Sequence, residues 1–231
     1  MKIGIIGAMD SEVNGLKENI EELKSEKISN IDFYTGKIFG KDVVVAKCGM
    51  GKVFASICAE AMILNYHPDK IIHIGIAGAL SSDLGLKDVA IASEVVQYDM
   101  DQTAFDMPLG FIQGLDMVKI PCEKNLVSEL ENCAKQLNIK YKEGTIATGD
   151  RFVSSEKIKA DIVKNFDAIA VEMEGAATGH VCYVNGVDFC VVRAMSDAAG
   201  DDSMSTYLKS KTSSSDVATH IIFKYLQTTK S

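Results

Sequence analysis

One arginine and two glutamates in this sequence combine residue types and spacing suited to acid–base chemistry. Arg193 interrupts the apolar segment 189–195, whose composition predicts a strand buried on both faces. A buried arginine needs a counter-charge. Glu172 and Glu174 end the neighbouring apolar segment, two residues apart, so in an extended chain their side chains point the same way. A structural ion pair and a functional site explain this group equally well.

Two more carboxylates follow apolar runs. Asp197 comes directly after Ser196 at the end of a predicted strand, where an aspartate often caps the loop or helix that follows. Glu12 lies in the first turn of a predicted helix, where an exposed glutamate would complement the helix dipole. Ligands of open parallel sheets bind beyond the carboxyl ends of the strands. Asp197, Glu12 and the segment 75–80 are therefore candidates for a binding site.

The sequence gives little support for a metal or a bound cofactor. The glycine-containing runs GIIGAM and GIAGAL match neither GxGxxG nor GxxxxGK[ST], and glycines there permit tight turns and a close backbone approach to a ligand. The histidines are far apart and lack metal-ligand spacing; they are His67, His73, His180 and His220. We therefore expect no metal and no cofactor.

The elements that must position these residues alternate between apolar runs of strand character and segments of helical period. This alternation predicts a mostly parallel sheet with helices on both faces. Without a composition shift or an internal repeat, residues 1–231 are interpreted as a single domain. A first amphipathic helix, capped by Asp10 or Ser11, is predicted by the spacing of Val13, Leu16, Ile20 and Leu23.

Further elements follow along the chain. The helix 51–66 should end before His67-Pro68, because a residue that precedes proline avoids the helical region. KIIHIGIAGAL predicts a buried strand that runs into a turn of small residues. The other predicted elements are a hairpin formed by IDFYTGKIF and DVVVAKCGM, strands 87–98, 143–148 and 168–173, helices 124–137, 156–165 and 174–185, the strand DFCVVRAMSD and a C-terminal helix.

Composition excludes several classes of partner. The chain has 24 Lys plus Arg and 32 Asp plus Glu, a net charge of −8, which disfavours nucleic acid and anionic membrane surfaces. No run of 18 apolar residues predicts a membrane span. The apolar N-terminal stretch is short and meets Asp10 without a signal-peptide cleavage site. Six cysteines without a CxxC pair are typical of a reducing compartment. We expect a cytoplasmic protein.

Six short motifs occur in order along the whole chain: KIGIIGAMDSEV, GMGKVFASICAE, IGIAGAL, TGDRFV, AVEMEGAA and VVRAMSD. Together they resemble the 5'-methylthioadenosine/S-adenosylhomocysteine nucleosidase family of the purine nucleoside phosphorylase superfamily. The resemblance implies an α/β fold, three-layer αβα, with a central mixed, barrel-like sheet. It also implies a homodimer that hydrolyses the N-glycosidic bond of these nucleosides, and of 5'-deoxyadenosine, to release adenine in methionine salvage.

The resemblance assigns roles to individual residues. Asp197 would protonate N7 of the departing purine, and Glu12 would activate water on the opposite side of the sugar. Met173 and Glu174 would bind the ribose, with Arg193 orienting Glu174. The other substrate-binding positions that the resemblance implies are Phe152 against the adenine ring, the backbone of Val153 and of Gly78, Ser196 and Ile76 beside them, and Met9, Met50 and Tyr207 around the 5'-alkylthio group, with Phe105 entering from the dimer partner.

One departure from the family pattern and one polar segment affect substrate binding. Ala79 replaces a glycine of the family's usual turn and should reshape that turn. The segment 201–215 is rich in Ser, Lys and Asp and is interpreted as a gate over the far end of the substrate slot. The preference among the three nucleosides depends on how open that end is, which the sequence leaves undetermined.

Three alternatives stay open. Phosphorolysis on the same fold would favour arginines for phosphate, and the chain has only Arg151 and Arg193. A related nucleosidase could act on futalosine or AMP, although the apolar 5' slot disfavours AMP. A non-catalytic nucleoside-binding protein is a third possibility, and the presence of both Glu12 and Asp197 argues against it.

Overall fold

The computed structural model describes residues 1–200 and 202–229, which form ten strands and six α-helices around one mixed sheet. The strands are β1 (Lys2–Gly7), β2 (Glu21–Ile28), β3 (Ile31–Ile38), β4 (Lys41–Lys47), β5 (Lys70–Ala79), β6 (Val89–Gln97), β7 (Lys119–Pro121), β8 (Tyr141–Thr148), β9 (Ala168–Glu172) and β10 (Asp188–Asp197). The helices are α1 (Asp10–Lys17), α2 (Lys52–Tyr66), α3 (Lys124–Gln136), α4 (Glu156–Phe166), α5 (Gly175–Asn185) and α6 (Ser203–Thr228). A 3₁₀ turn covers Thr103–Phe105.

Five of the strands close into a ring. β5 pairs with β10, and the ring continues through β6, β8 and β9 back to β5. The β5–β10, β6–β8 and β8–β9 pairs are parallel, whereas β10–β6 and β9–β5 are antiparallel. β1, β4, β3 and β2 extend the sheet outward from β5. The predicted mixed, barrel-like sheet is confirmed.

Helices cover the sheet in two groups. α1 and α3 pack against α6, which lies on β5 and β10. α2 and α5 pack against each other, and they also contact strands of the sheet. This arrangement confirms the predicted three-layer αβα architecture. The central strands β5 and β10 each have nine of ten residues buried, so the core lies between the sheet and its helices.

Several predicted helix ends are confirmed by the backbone. α2 ends at Tyr66, and His67 adopts a left-handed conformation with φ 49° before Pro68. α5 ends at Gly186, whose φ of 65° is also left-handed. Glycine adopts this conformation at little cost, which explains why it terminates helices.

The predicted first helix is wrong in its length and its cap. α1 begins after Met9, which is its N-cap, and ends at Lys17. Leu23 belongs to β2, where its side chain is 46% exposed. β2 is an edge strand with the sequence EELKSEKI, so it lacks the apolar alternation that identifies a half-buried strand. Its register comes instead from the hairpin with β3.

One further expectation needs correction, and the structure of a second predicted segment is now defined. The segment that was predicted to turn near Ala79 is extended, and Ala79 pairs with Ala170 of β9, because β5 must run this far to close the ring. Most of the predicted 201–215 gate is the beginning of α6, while residue 201 lies outside the described residues. The hydroxyls of Ser210 and Ser215 donate to carbonyls one turn earlier, so polar residues fit this helix.

No helix in the described ranges has both the length and the apolar character needed to cross a bilayer. The six cysteines are buried and unpaired.

Candidate active site

A cleft opens at the carboxyl ends of several central strands. This is the position predicted from the sequence, where ligands of open α/β sheets bind. It brings together most of the predicted site residues, which approach from separate parts of the chain. Those that line the cleft are Met9, Glu12, Met50, Ile76, Gly78, Phe152, Met173, Glu174, Ser196, Asp197 and Tyr207.

Glu12 is held in the cleft by backbone donors. Its Oε2 accepts hydrogen bonds from Ala8 N–H at 2.6 Å and Met9 N–H at 2.9 Å, and its Oε1 accepts one from Ile76 N–H at 3.1 Å. The residue is only 2% exposed. Burial raises the pKa of Glu12, while the positive charge of Arg193 and the three hydrogen bonds act against that rise. Glu12 is therefore a fixed, desolvated carboxyl and not an exposed dipole partner.

Arg193 lies behind the cleft and joins its acidic residues. Its Nη2 forms an ion pair with Glu172 and lies 3.6 Å from Glu174 Oε2, while Nη1 donates to Ile74 O at 3.3 Å. Gly75 leaves the space for this arrangement. A Cβ at Gly75 would lie 2.0 Å from Arg193 Nη1 and 2.5 Å from Glu12 Oε1. The guanidinium thus compensates the buried negative charge.

Glu172 and Glu174 have different environments although they are two residues apart. The Glu172 carboxylate accepts hydrogen bonds from the Gly175 N–H at 2.7 Å, the Glu174 N–H at 3.0 Å and the Thr148 hydroxyl. Glu174 accepts one from Gly51 N–H at 2.8 Å. Burial and the negative charge of Glu172 raise the pKa of Glu174 to about 7. Glu172 is therefore the anchor of the network, and Glu174 takes up a proton at higher pH than an exposed glutamate does.

Asp197 reaches the cleft because β10 contains an irregularity. In the ladder with β5, Met195 pairs with Ala77 and Asp197 with Gly78, so Ser196 is an extra residue. Consecutive residues of a regular strand face opposite sides, but at this bulge both Ser196 and Asp197 line the cleft.

The Asp197 carboxyl is 4% exposed. It accepts hydrogen bonds from the Ser196 hydroxyl and from Ala199 N–H, both at 2.8 Å. Burial raises the pKa of Asp197, and the two hydrogen bonds oppose that rise. The bond from Ala199 shows that the capping interpretation is also correct, so one side chain caps a loop and faces the cleft.

A smaller cavity adjoins the cleft and shares several of its lining residues. Val153 and Ala199 line it, and it shares Phe152, Gly78 and Asp197 with the cleft. We call this cavity the base chamber. Its walls are apolar apart from Asp197, Glu172 and Arg151, which suits a flat aromatic ligand with one polar edge. Val153 is thus brought next to the other predicted residues.

The opposite end of the cleft is apolar and open. The Tyr207 hydroxyl donates to the Met9 sulfur at 3.4 Å, and the Tyr207 ring meets the Phe152 ring edge to face at 5.5 Å. Met50 is 63% exposed at the rim. A thioether or alkyl group would find compatible contacts here.

Phe105 is the predicted site residue that this chain does not bring to the cleft. It lies in the 3₁₀ turn and is 77% exposed. Sequence reasoning also missed the roles of Thr148 and Gly51, which depend on hydrogen bonds to Glu172 and Glu174. Among residues 1–200 and 202–229, no group of three or more His, Cys, Asp and Glu side chains is arranged to hold a metal ion.

Comparison with known proteins identifies relatives over nearly the whole chain. Residues 2–226 match the family model described as the phosphorylase superfamily. The 5'-methylthioadenosine/S-adenosylhomocysteine nucleosidase of Shewanella halifaxensis is 42% identical over 204 residues, which cover 88% of this chain and 89% of that protein.

Two solved structures are similar in fold. The 5'-methylthioadenosine/S-adenosylhomocysteine nucleosidase of Neisseria meningitidis, in complex with methylthio-immucillin-A, aligns with a TM-score of 0.95 and 29% identity over 99% of both chains. The futalosine hydrolase of Helicobacter pylori aligns with a TM-score of 0.94 and 34% identity over 97% of both chains.

Proposed function

This chain belongs to the phosphorylase superfamily, and we propose that it hydrolyses the N-glycosidic bond of 5'-methylthioadenosine and S-adenosylhomocysteine to release adenine. The observation that carries the proposal is the presence of two buried carboxyls, Glu12 and Asp197, in one cleft that adjoins the base chamber and is also lined by the apolar side chains of Met9 and Met50. We extend the proposal to 5'-deoxyadenosine, whose 5' group is also apolar.

Asp197 is the proposed proton donor to N7 of the departing adenine. A general acid must carry its proton near the working pH, and burial raises the pKa of Asp197 in that direction. The residue lies where the cleft meets the base chamber, since it lines both. Protonation at N7 makes adenine a better leaving group and favours the oxocarbenium-like transition state.

Glu12 is the proposed base that takes a proton from the attacking water. The three backbone N–H groups fix its carboxyl, so little reorganisation is needed when the water reacts. The nearby positive charge of Arg193 favours the ionised form of Glu12, which is the form that a base requires.

Glu174 and Met173 are the proposed ribose-binding residues. A carboxylate can accept hydrogen bonds from two neighbouring hydroxyls. Glu174 is fixed for this task by Gly51 N–H, and Arg193 lies behind it. Arg193 is therefore a positioning residue, acting through Glu172 and Glu174.

The proposed base-binding residues are Phe152, which would stack on adenine, and Val153 and Gly78, which would offer backbone groups to its edge. Ser196 would act through its hydrogen bond to Asp197. The proposed contacts to the ribose and to the 5'-alkylthio group come from Ile76, Met9, Met50 and Tyr207, which line the cleft on that side.

Hydrolysis fits this cleft better than phosphorolysis. None of the described residues that line it is Lys or Arg, and Arg193 is already paired with Glu172. The Ile76, Ala8 and Met9 N–H groups, which could bind an anion, donate to Glu12. Phosphate would therefore meet a carboxylate where it needs donors.

Futalosine hydrolysis is the second candidate, and the similarity to the Helicobacter pylori futalosine hydrolase favours it. Futalosine hydrolysis would use the same two carboxyls, but the cleft would have to accept a larger group at the 5' end of the substrate. The open rim at Met50 is compatible with such a group, so the two nucleoside classes must be compared directly.

We further propose that the chain functions as a single nucleosidase domain that works in the cytoplasm in methionine salvage and forms a homodimer. Exposed apolar side chains support a dimer; they are Met50 at the cleft, Val53, Phe54, Ile57 and Leu64 on α2, and Tyr183 and Val184 on α5. Phe105 would then enter the partner's cleft. The elution volume and light scattering of the purified protein test this proposal.

Product analysis tests the proposed reaction. 5'-Methylthioadenosine, S-adenosylhomocysteine and futalosine are each incubated with the protein in phosphate-free buffer and with added phosphate. Adenine in both buffers is the expected result, together with free 5-methylthioribose from 5'-methylthioadenosine and free S-ribosylhomocysteine from S-adenosylhomocysteine. A sugar 1-phosphate formed only with phosphate would assign phosphorolysis, and turnover of futalosine alone would assign the second candidate.

A further inference from the structure

The TGDRFV motif contains an acidic residue that the proposed reaction does not use. Phe152 and Val153 of this motif line the base chamber, whereas Asp150 lies outside both the cleft and the chamber. Its Oδ1 accepts a hydrogen bond from Lys52 N–H at 2.8 Å. Lys52 is the first residue of α2, 98 positions earlier in the chain.

The residue before Lys52 donates to the ribose end of the site. Gly51 N–H is bonded to Glu174 Oε1 at 2.8 Å, so two consecutive backbone N–H groups serve two carboxylates. Gly51 has a φ of 95°, a conformation that favours glycine. A Cβ on Gly51 would lie 2.9 Å from Asp150 Oδ1. The Asp150 carboxylate therefore sits directly against the glycine that binds Glu174.

A closed set of contacts keeps Asp150 in place. Asp150 N–H donates to Asp99 Oδ2 at 3.0 Å, and Lys52 Nζ lies 2.7 Å from Asp99 Oδ1. Lys52 thus meets Asp150 through its backbone and Asp99 through its side chain. Lys52, Asp99 and Asp150 come from three segments that are distant in sequence, and each contributes at least one charged group to these contacts.

We propose that Asp150 is a positioning residue. It belongs to the segment that lines the base chamber, and it controls the placement of Glu174 at the ribose end of the site. By holding Lys52 N–H, its carboxylate fixes the neighbouring Gly51 N–H on Glu174. Movement of the base wall and of the ribose carboxylate is thereby linked. This inference rests on the proposed nucleosidase function, because it assigns ribose binding to Glu174.

The substitution Lys52→Pro, compared with Lys52→Ala, tests the hydrogen bond from Lys52 N–H to Asp150. Proline has no N–H, and it is well accepted at the first position of a helix. Lys52→Ala is the matched control, because it loses the same ammonium group but keeps the N–H that Asp150 accepts. The two variants are compared by thermal unfolding, by kcat/KM with 5'-methylthioadenosine and by inhibition with free adenine, which has no ribose.

We expect Lys52→Pro to lower kcat/KM about ten-fold below Lys52→Ala, mainly through KM, with adenine inhibition changed less than about two-fold. Equal kcat/KM in the two variants would overturn the inference. Equal weakening of nucleoside and adenine binding would also overturn it, because general loosening of the site would then explain the loss.

Asp150 itself supplies a second, independent comparison. Asp150→Asn keeps an oxygen that can accept from Lys52 N–H and should retain most activity, whereas Asp150→Ala should resemble Lys52→Pro. The double variant Asp150→Ala/Lys52→Pro should be no worse than Lys52→Pro alone, since both substitutions remove the same hydrogen bond. If the losses of kcat/KM in the two single variants multiplied in the double variant, Asp150 and Lys52 would act independently, which would contradict the proposal.

Wild-type protein distinguishes failure of this inference from failure of the proposed function. If wild type releases adenine, the ratios between variants decide the inference. If it releases none, the nucleosidase proposal fails, and the same comparisons are made on the dissociation constants of 5'-methylthioadenosine and adenine. A selective loss of nucleoside affinity in Lys52→Pro would then still support Asp150 as a positioning residue, and equal affinities would overturn it.

Discussion

Glu12 on α1 and Ile76 on β5, 64 residues apart in the chain, are joined by a hydrogen bond of 3.1 Å from the Ile76 N–H to the Glu12 carboxylate. This bond occupies a backbone donor that an anionic nucleophile would otherwise use. We therefore predict that inorganic phosphate does not accelerate adenine release. Initial rates measured with and without phosphate at constant ionic strength check this, and a rate that rises with phosphate concentration would contradict it.

The two carboxyls predict a bell-shaped pH profile of kcat/KM. Glu12 must be ionised, and burial raises its pKa above the ordinary 4.5, so activity should fall as the pH drops through that raised value. Asp197 must be protonated, and its pKa is also raised by burial, so activity should fall again as the pH increases through it.

Glu12→Gln and Asp197→Asn should each lower kcat about 10²- to 10⁴-fold; full turnover in both variants would disprove the mechanism.

Ser196→Ala should move the alkaline limb of that profile. The Ser196 hydroxyl donates to Asp197 and lowers its pKa, because the bond favours the ionised carboxyl. Without it, Asp197 should keep its proton to higher pH. The measurement is kcat/KM against pH for wild type and Ser196→Ala, and an unchanged or acid-shifted alkaline limb would show that Asp197 does not control it.

Gly75→Ala should damage both stability and activity. The added Cβ would lie 2.0 Å from Arg193 Nη1 and 2.5 Å from Glu12 Oε1, so it must displace buried charged groups. We expect a loss of about 3 kcal/mol or more in the free energy of unfolding, measured by chemical denaturation. Gly114→Ala is the control, because a Cβ there meets nothing within 4 Å. Equal stability of the two variants would contradict the described packing.

Glu174→Gln should change how stability depends on pH. The folded-state pKa of Glu174 is about 7, above the ordinary 4.5, so the folded state favours the protonated form. Its contribution to stability is therefore present below pH 4.5 and is lost as the pH rises through about 7. Glutamine does not ionise. The melting temperature of the variant relative to wild type should increase between pH 5 and pH 8, and a constant difference would argue against the raised pKa.

Phe105→Ala should raise KM for 5'-methylthioadenosine several-fold if Phe105 completes the partner's cleft. Within its own chain the residue is 77% exposed and lies outside the cleft, so a monomer should not respond. Leu23→Ala, at an exposed position of β2, serves as the control. Steady-state kinetics together with light scattering distinguish loss of a substrate contact from loss of the dimer.

The strand ends of the site were predictable from the sequence because polar residues there interrupt long apolar runs. Glu12, Glu174 and Asp197 stand at such points, and the structure brings all three to one cleft. The sequence pattern indicated Glu172 and Glu174 as partners of Arg193 without ranking them, and only the family resemblance implied that Glu174 binds ribose. β9 ends at Glu172, so Glu172 and Glu174 do not continue one extended strand, and Glu172 is the direct partner.

The edge of the sheet was less predictable. β2 is almost fully exposed and consists mostly of charged residues, and exposed edge strands carry little apolar signal. Its pairing depends on the two-residue turn at Ser29 and Asn30, which both have positive φ, as hairpin turns that match strand twist require. The Ser29–Asn30 turn can be recognised as a hairpin turn only when both of the strands that it connects have been identified.

The bulge at Ser196 makes the chemistry of this site depend on chain length as well as on residue type. One extra residue precedes Asp197 in the ladder with β5. Deleting Ser196 would remove the bulge and place the aspartate directly after Met195, at the position where Ser196 now lines the cleft. A gene one codon shorter here would then specify a cleft that keeps this carboxyl but lacks the hydroxyl that donates to it.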